Sequence, residues 1–211
     1  MPPVIHANDL ILFQGDSITD SGRTGTRDGL GNGYVAMIRG LLQTLRPELP
    51  VRILNRGNGG DRTAELLARW QPDCLALKPD VLSLKIGVND LWRKRGEWNG
   101  QQWIPPAEFK ANLVKLLEQA AAAGIRQFLL LSPTTIDPEN DGELTAGLGE
   151  YAAIVQEQAK AFHAVYVPAR EAMLDARAQL PETAWTTDGC HPGAAGHALL
   201  AATWLKAAGV I

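Results

Sequence analysis

Short apolar runs alternate regularly with amphipathic stretches, and this rhythm constrains the fold more than any other feature of the chain. Five runs read as buried strands, at residues 10–14, 51–55, 81–86, 126–131 and 164–167. Between them apolar residues recur at helical spacing, as in Phe109, Leu113, Leu116, Leu117 and Ala120. Strand and helix in strict alternation build βαβ units around a parallel sheet. Right-handed crossovers then predict an α/β fold, a three-layer αβα sandwich whose five-stranded parallel sheet has flavodoxin-like strand order. The last helix is expected over residues 193–208, with Leu199, Leu200, Thr203 and Trp204 at helical spacing and Pro192 in its first turn. No repeat or linker interrupts the pattern, so residues 1–211 read as one domain.

Composition narrows the partner. The 211 residues, 45% of them hydrophobic, suffice for one well-filled core. A formal net charge of −3 and the absence of any lysine- or arginine-rich run longer than Arg93-Lys94-Arg95 give no electrostatic case for nucleic acid or an anionic membrane. No apolar run approaches the roughly 18 residues a membrane-spanning helix needs. The opening Met1-Pro2-Pro3-Val4-Ile5-His6 lacks a basic stretch before an apolar one, so no secretory signal is expected. Cys74 and Cys190 lie far apart and read as free thiols of a reducing cytoplasm. A small or neutral molecule is the expected partner.

In a doubly wound fold the ligand crevice forms from loops after the carboxyl ends of the strands. The longest irregular stretches, 15–31, 91–106 and 132–143, all follow strands. Four short motifs fall on that edge: Gly15-Asp16-Ser17-Ile18, Asn55-Arg56-Gly57-Asn58-Gly59-Gly60-Asp61, Gly87-Val88-Asn89-Asp90 and Asp188-Gly189-Cys190-His191-Pro192. Each is weak alone. Their order, each after the appropriate element, carries the signal.

The set resembles the SGNH hydrolases, also called GDSL esterases and lipases, along nearly the whole chain. The family pattern of serine, glycine, asparagine and histidine corresponds here to Ser17, Gly60, Asn89 and His191. Ile18 stands where the family name has leucine, an apolar exchange that leaves the chemistry alone. Residues 15–23, 31–34, 55–61, 69–70 and 86–92 are similar to a bacterial single-domain subgroup that includes acetylxylan esterases.

Elementary chemistry agrees with these roles. A serine hydroxyl needs a base to take its proton, and a neutral imidazole serves near neutral pH. A carboxylate on the far ring nitrogen fixes the tautomer, and Asp188 lies three residues from His191, within reach of one turn. The developing oxyanion needs donors, which the backbone N–H groups of Ser17 and Gly60 and the Asn89 amide would supply. Gly60 has no Cβ to block close approach, and Asn89 donates without carrying charge. Asp61 is placed to cap the helix that follows it.

Plainer readings compete at each position. Ser17 alone would read as a helix N-cap, Asn89 as a turn residue, and Gly57 or Gly59 as serving only the turn. Asp16 and Asp90 read as loop-holding groups, and His6, His163 and His197 as structural or exposed. Cys190 beside His191 invites a thiol nucleophile, but adjacent side chains rarely face each other. Of six tryptophans, Trp70 and Trp204 read as core. Trp92 and Trp185, each three residues from a motif residue, are placed to flank the pocket and touch substrate. Trp98 and Trp103 lie in the long third loop, where they would line the cleft or an oligomer contact.

The expected activity is therefore hydrolysis of short acyl esters, acetyl above all, on carbohydrates such as acetylated xylo-oligosaccharides, with no metal or organic cofactor. A lysophospholipase- or thioesterase-type specificity is the alternative, since the family tolerates varied substrates. A catalytically silent sugar-binding protein would not need a base–nucleophile pair. Metal-dependent phosphoesterases need histidine and carboxylate clusters that four histidines hardly provide. The motif also lacks the second glycine of the α/β-hydrolase elbow, and no P-loop is present. Related esterases often assemble, so a homo-oligomer is expected.

Overall fold

A computed structural model describes residues 4–96, 99–134 and 142–211 of the chain. The five expected strands are present: β1 (Leu10–Gly15), β2 (Arg52–Asn55), β3 (Val81–Lys85), β4 (Gln127–Leu131) and β5 (Val165–Val167). They form one parallel sheet in the order β2-β1-β3-β4-β5, the predicted flavodoxin-like arrangement. All six residues of β1 are buried, as expected of a central strand covered on both faces.

The helices among the described residues are α1 (Ser17–Asp20), α2 (Tyr34–Leu45), α3 (Thr63–Ala68), α4 (Trp70–Asp73), α5 (Val88–Trp92), α6 (Pro106–Ala122), α7 (Gly142–Ala161), α8 (Ala169–Gln179) and α9 (Ala194–Ala207). One layer brings α9 against α2 and α8; α6, α7, α3 and α5 pack against one another in the other. Trp204 of α9 is fully buried and donates its indole N–H to Ser83 Oγ of β3. Trp70 is likewise core and donates to the Leu116 carbonyl of α6. No helix among the described residues is long and apolar enough to cross a membrane.

Two expectations about helix starts need correction. Pro192 is not in the first turn of α9, because Gly193 is its N-cap and Pro192 lies outside, bridging Thr186. The rigid ring shapes the preceding loop instead. Asp61 does not cap α3: Arg62 occupies the cap position, and Glu65 accepts its backbone N–H at 3.0 Å. Asp61 accepts from Asn58 Nδ2 (2.7 Å) and Arg69 Nε (2.6 Å), an ion pair only the folded chain brings together.

His197 of α9 is buried and structural. Its Nδ1 accepts the Tyr34 N–H at 3.2 Å, serving the first turn of α2, whose N-cap Gly33 has no side chain to do so. A Cβ on Gly33 would stand 2.7 Å from His197 Cε1. Burial, with the nearby charge of Lys85, pushes the His197 pKa down to about 4 from 6.5. The unfolded chain therefore binds this proton more tightly, so its stabilisation is complete above pH 6.5 and drains away as pH falls toward 4. The loss should reach about 2 kcal/mol at pH 5. His197→Asn keeps an acceptor that cannot ionise. Urea unfolding at pH 7 and pH 5 should show the variant losing about 2 kcal/mol less than wild type, and equal losses would remove His197 from the account.

Candidate active site

The sheet order reverses direction between β1 and β3, and the crevice of such folds opens there, beyond the strands' carboxyl ends. Ser17 follows β1 and Asn89 follows β3, so both border that crevice. An open cleft of about 660 Å³ lies there, and Ser17, Gly60, Asn89, Asp188 and His191 all line it.

Ser17 is not the cap of its helix. Asp16 is, accepting the Ile18 N–H at 2.9 Å through Oδ1. Ser17 takes the first helical position, where its N–H has no intrahelical acceptor. Its Oγ lies 2.8 Å from His191 Nε2 across 174 residues of sequence. At the far side of the ring, His191 Nδ1 is 2.7 Å from Asp188 Oδ2. The other carboxylate oxygen accepts the backbone N–H groups of His191 (2.7 Å) and Cys190 (3.0 Å). Burial pushes the Asp188 pKa up, but these N–H groups and the imidazole outweigh it and hold the group below its ordinary value.

The turn carrying this pair is closed by Thr187 N–H on the His191 carbonyl (2.9 Å) and by Thr186 Oγ1, which accepts the Gly189 N–H (2.8 Å). Gly189 has φ +84°, a left-handed conformation that favours glycine. Opposite stands Asn89, 9% exposed, with one N–H of its amide given to the Asp61 carbonyl at 3.0 Å. The second N–H of that amide is thereby left for the cleft. Gly60 has φ +81°.

Several supporting contacts gave no local sequence signal. Buried Asn55 donates to the Thr19 (2.6 Å) and Leu30 (2.9 Å) carbonyls and accepts the Gly57 N–H (2.9 Å), tying the second loop to the first. A Cβ on Gly57 would sit 2.3 Å from Asp20 N, so glycine is required by close approach. Asp90 reaches from α5 to the start of α3, accepting Thr63 Oγ1–H (2.6 Å) and N–H (3.0 Å). Burial pushes its pKa up to about 7 against those donors.

Of the tryptophans placed near the pocket, Trp92 lines the cleft and Trp185 does not. Trp185 is 8% exposed and donates its indole N–H to the Leu180 carbonyl, while its own carbonyl accepts the Gly193 N–H. Its ring belongs to the buried core and does not line the cleft, so the expected substrate contact is not made there. Trp103 is 41% exposed and donates to Tyr151 Oη, away from the cleft lining; Trp98 lies outside the described residues. Arg93 and Cys190 line the cleft without having been singled out for it. Burial pushes the Cys190 thiol up to about 12, so a thiolate is not available near neutral pH. The imidazole contacts serine.

The family model described as GDSL-like Lipase/Acylhydrolase matches residues 13–199. The chain belongs to that family. An acetylxylan esterase from Geobacillus stearothermophilus is 33% identical over 211 residues, spanning 97% of this chain and 96% of the relative. A crystal structure of that esterase superposes with a TM-score of 0.90 at 32% identity, covering 98% of this chain and 96% of the other. Alanine variants of it at one serine, one aspartate and one histidine are described as catalytic mutants. LAE5, an α/β hydrolase enzyme from the metagenome of Lake Arreo, is 31% identical with a TM-score of 0.88 and 98% coverage of both chains. Among GDSL-like acylhydrolases this protein is thus a carboxylic ester hydrolase. Among its described residues, no three His, Cys, Asp or Glu side chains gather as metal ligands.

Proposed function

We propose that this enzyme removes acetyl groups from xylo-oligosaccharides, with Ser17 as nucleophile, His191 as general base and acid, and Asp188 as the carboxylate that orients it. The observation carrying this reading is the 2.8 Å contact between Ser17 Oγ and His191 Nε2 in a cleft also lined by Gly60 and Asn89. His191 takes the hydroxyl proton as Oγ attacks the ester carbonyl. The tetrahedral oxyanion is held by the Ser17 and Gly60 N–H groups and the free N–H of Asn89. His191 then protonates the departing sugar oxygen, leaving an acetyl ester on Ser17. Water, deprotonated by the same imidazole, attacks that ester, releasing acetate and returning the proton to Ser17. No cofactor takes part in these steps.

The substrate reading is supported by the near full-length likeness to an acetylxylan esterase and by the Trp92 ring at the cleft. An indole offers a flat face to a sugar ring, whereas the Arg93 guanidinium is engaged with Gln101 and the Gly60 carbonyl and serves the cleft wall. Two free thiols are in keeping with a reducing compartment, and we place the enzyme in the cytoplasm as a homo-oligomer of one-domain subunits. Initial rates on p-nitrophenyl acetate and octanoate, followed by acetate release from acetylated xylobiose, test the substrate. Acetate should be the preferred chromogenic ester and xylobiose should be deacetylated; rates that climb with chain length would point to a lysophospholipase- or thioesterase-type enzyme instead.

A further inference from the structure

A lysine is almost never fully buried without a partner, yet Lys85 is fully buried at the carboxyl end of β3. Strand alternation places it on the same face as Ser83, which contacts Trp204 of α9. Its Nζ stands 4.0 Å from Oδ2 of Asp16, whose side chain is also fully buried. Neither of these two atoms has a hydrogen-bond partner among the described residues. The Asp16 carboxylate is thus divided: Oδ1 caps α1 through the Ile18 N–H, and Oδ2 faces the ammonium.

The position of this pair matters more than its existence. Asp16 immediately precedes Ser17, and Lys85 lies four residues before Asn89 on the same strand and turn. The backbones meet here too, since a Cβ on Gly15 would stand 2.2 Å from the Lys85 carbonyl oxygen. The charges also reach Cys190, whose thiol burial pushes up, with Asp16 adding to the rise and Lys85 opposing it. The segments bearing Ser17 and Asn89 therefore converge on one buried ion pair, whose charges also act on the residue beside His191.

Stability is a poor reason to keep it, because apolar residues of similar size often replace such pairs without loss. We propose that Lys85 is a positioning residue for the esterase reaction: through the Asp16 carboxylate it fixes the start of α1 and so aims Ser17 Oγ at His191. This rests on Ser17 being the nucleophile. A displacement of about 1 Å at a reacting group can cost on the order of 10² in rate.

Lys85→Met removes the cation at similar length and leaves Asp16 uncompensated. Asp16→Asn keeps a capping oxygen but leaves the ammonium alone, and the double variant removes both charges. With p-nitrophenyl acetate and active sites counted by fluorophosphonate, Lys85→Met should lower kcat at least tenfold with KM within about twofold. The double variant should turn over at least about threefold faster than either single variant. A smaller fall, or no such recovery, overturns the proposal. Should Lys85→Met fail to fold, Asp16→Asn and the double variant decide alone by the same threefold criterion. A wild-type enzyme that takes no fluorophosphonate at Ser17 would sink the nucleophile assignment itself; normal labelling with unaffected variants would sink only the role of Lys85.

Discussion

Replacing Ser17 by alanine should lower kcat on p-nitrophenyl acetate by at least about 10⁴-fold, leaving only what the oxyanion donors and binding supply. The size follows from the geometry: Ser17 Oγ is the hydroxyl that His191 Nε2 meets, at 2.8 Å. The neighbouring thiol does not substitute, because burial pushes Cys190 up to about 12. The fold should be indifferent to the change. Ser17 occupies the first helical position, its cap is Asp16, and alanine is a good helix former. Thermal unfolding within about 2 °C of wild type is expected, together with complete loss of fluorophosphonate labelling. A variant that retained more than a few per cent of turnover would place the nucleophile elsewhere.

The strands were legible because β1 and β3 are buried on both faces and read as mainly apolar runs, broken in β3 only by Ser83 and Lys85. Differences are confined to strand ends, as at β2, which starts at Arg52 rather than at residue 51. The site was legible where its parts are local: Asp188 and His191 meet within one turn. It was also legible where the fold class places a loop, as with Ser17 and Asn89 at the edge where the sheet order reverses. Legibility stops where a side chain's direction or distant partner decides. Trp185 and Trp92 share the same spacing to a motif residue, yet one ring is buried in the core and the other lines the cleft. Asp61 precedes a helix and looks like its cap, but Arg69, eight residues on, takes its carboxylate. The group that does serve Thr63 is Asp90, 27 residues away. Lys85 sits in an apolar run whose pattern cannot say that its ammonium stays inside.

Asp188→Asn should be the more damaging of two substitutions at that position, although it is the smaller change in shape. Asp188 Oδ1 holds the backbone N–H groups of Cys190 and His191, and Oδ2 faces His191 Nδ1. An asparagine keeps its oxygen on the two backbone donors, which turns its NH₂ toward Nδ1. The ring must then accept at Nδ1 and carry its proton on Nε2, the nitrogen that should receive the proton from Ser17. A tautomer fault of this kind costs about 10⁴ in kcat in the serine protease template. Both side chains here are about half exposed, at 45% and 52%, so solvent weakens the carboxylate's electrostatic share but does not correct the tautomer. Asp188→Ala leaves Nδ1 to water, which donates or accepts with equal ease. It should keep roughly tenfold more activity than the asparagine variant even though it loses the contacts that order the turn. Steady-state kcat for the two variants under identical conditions decides the matter. If alanine proves as slow as asparagine or slower, the carboxylate acts chiefly by holding the turn in place rather than by choosing which ring nitrogen bears the proton.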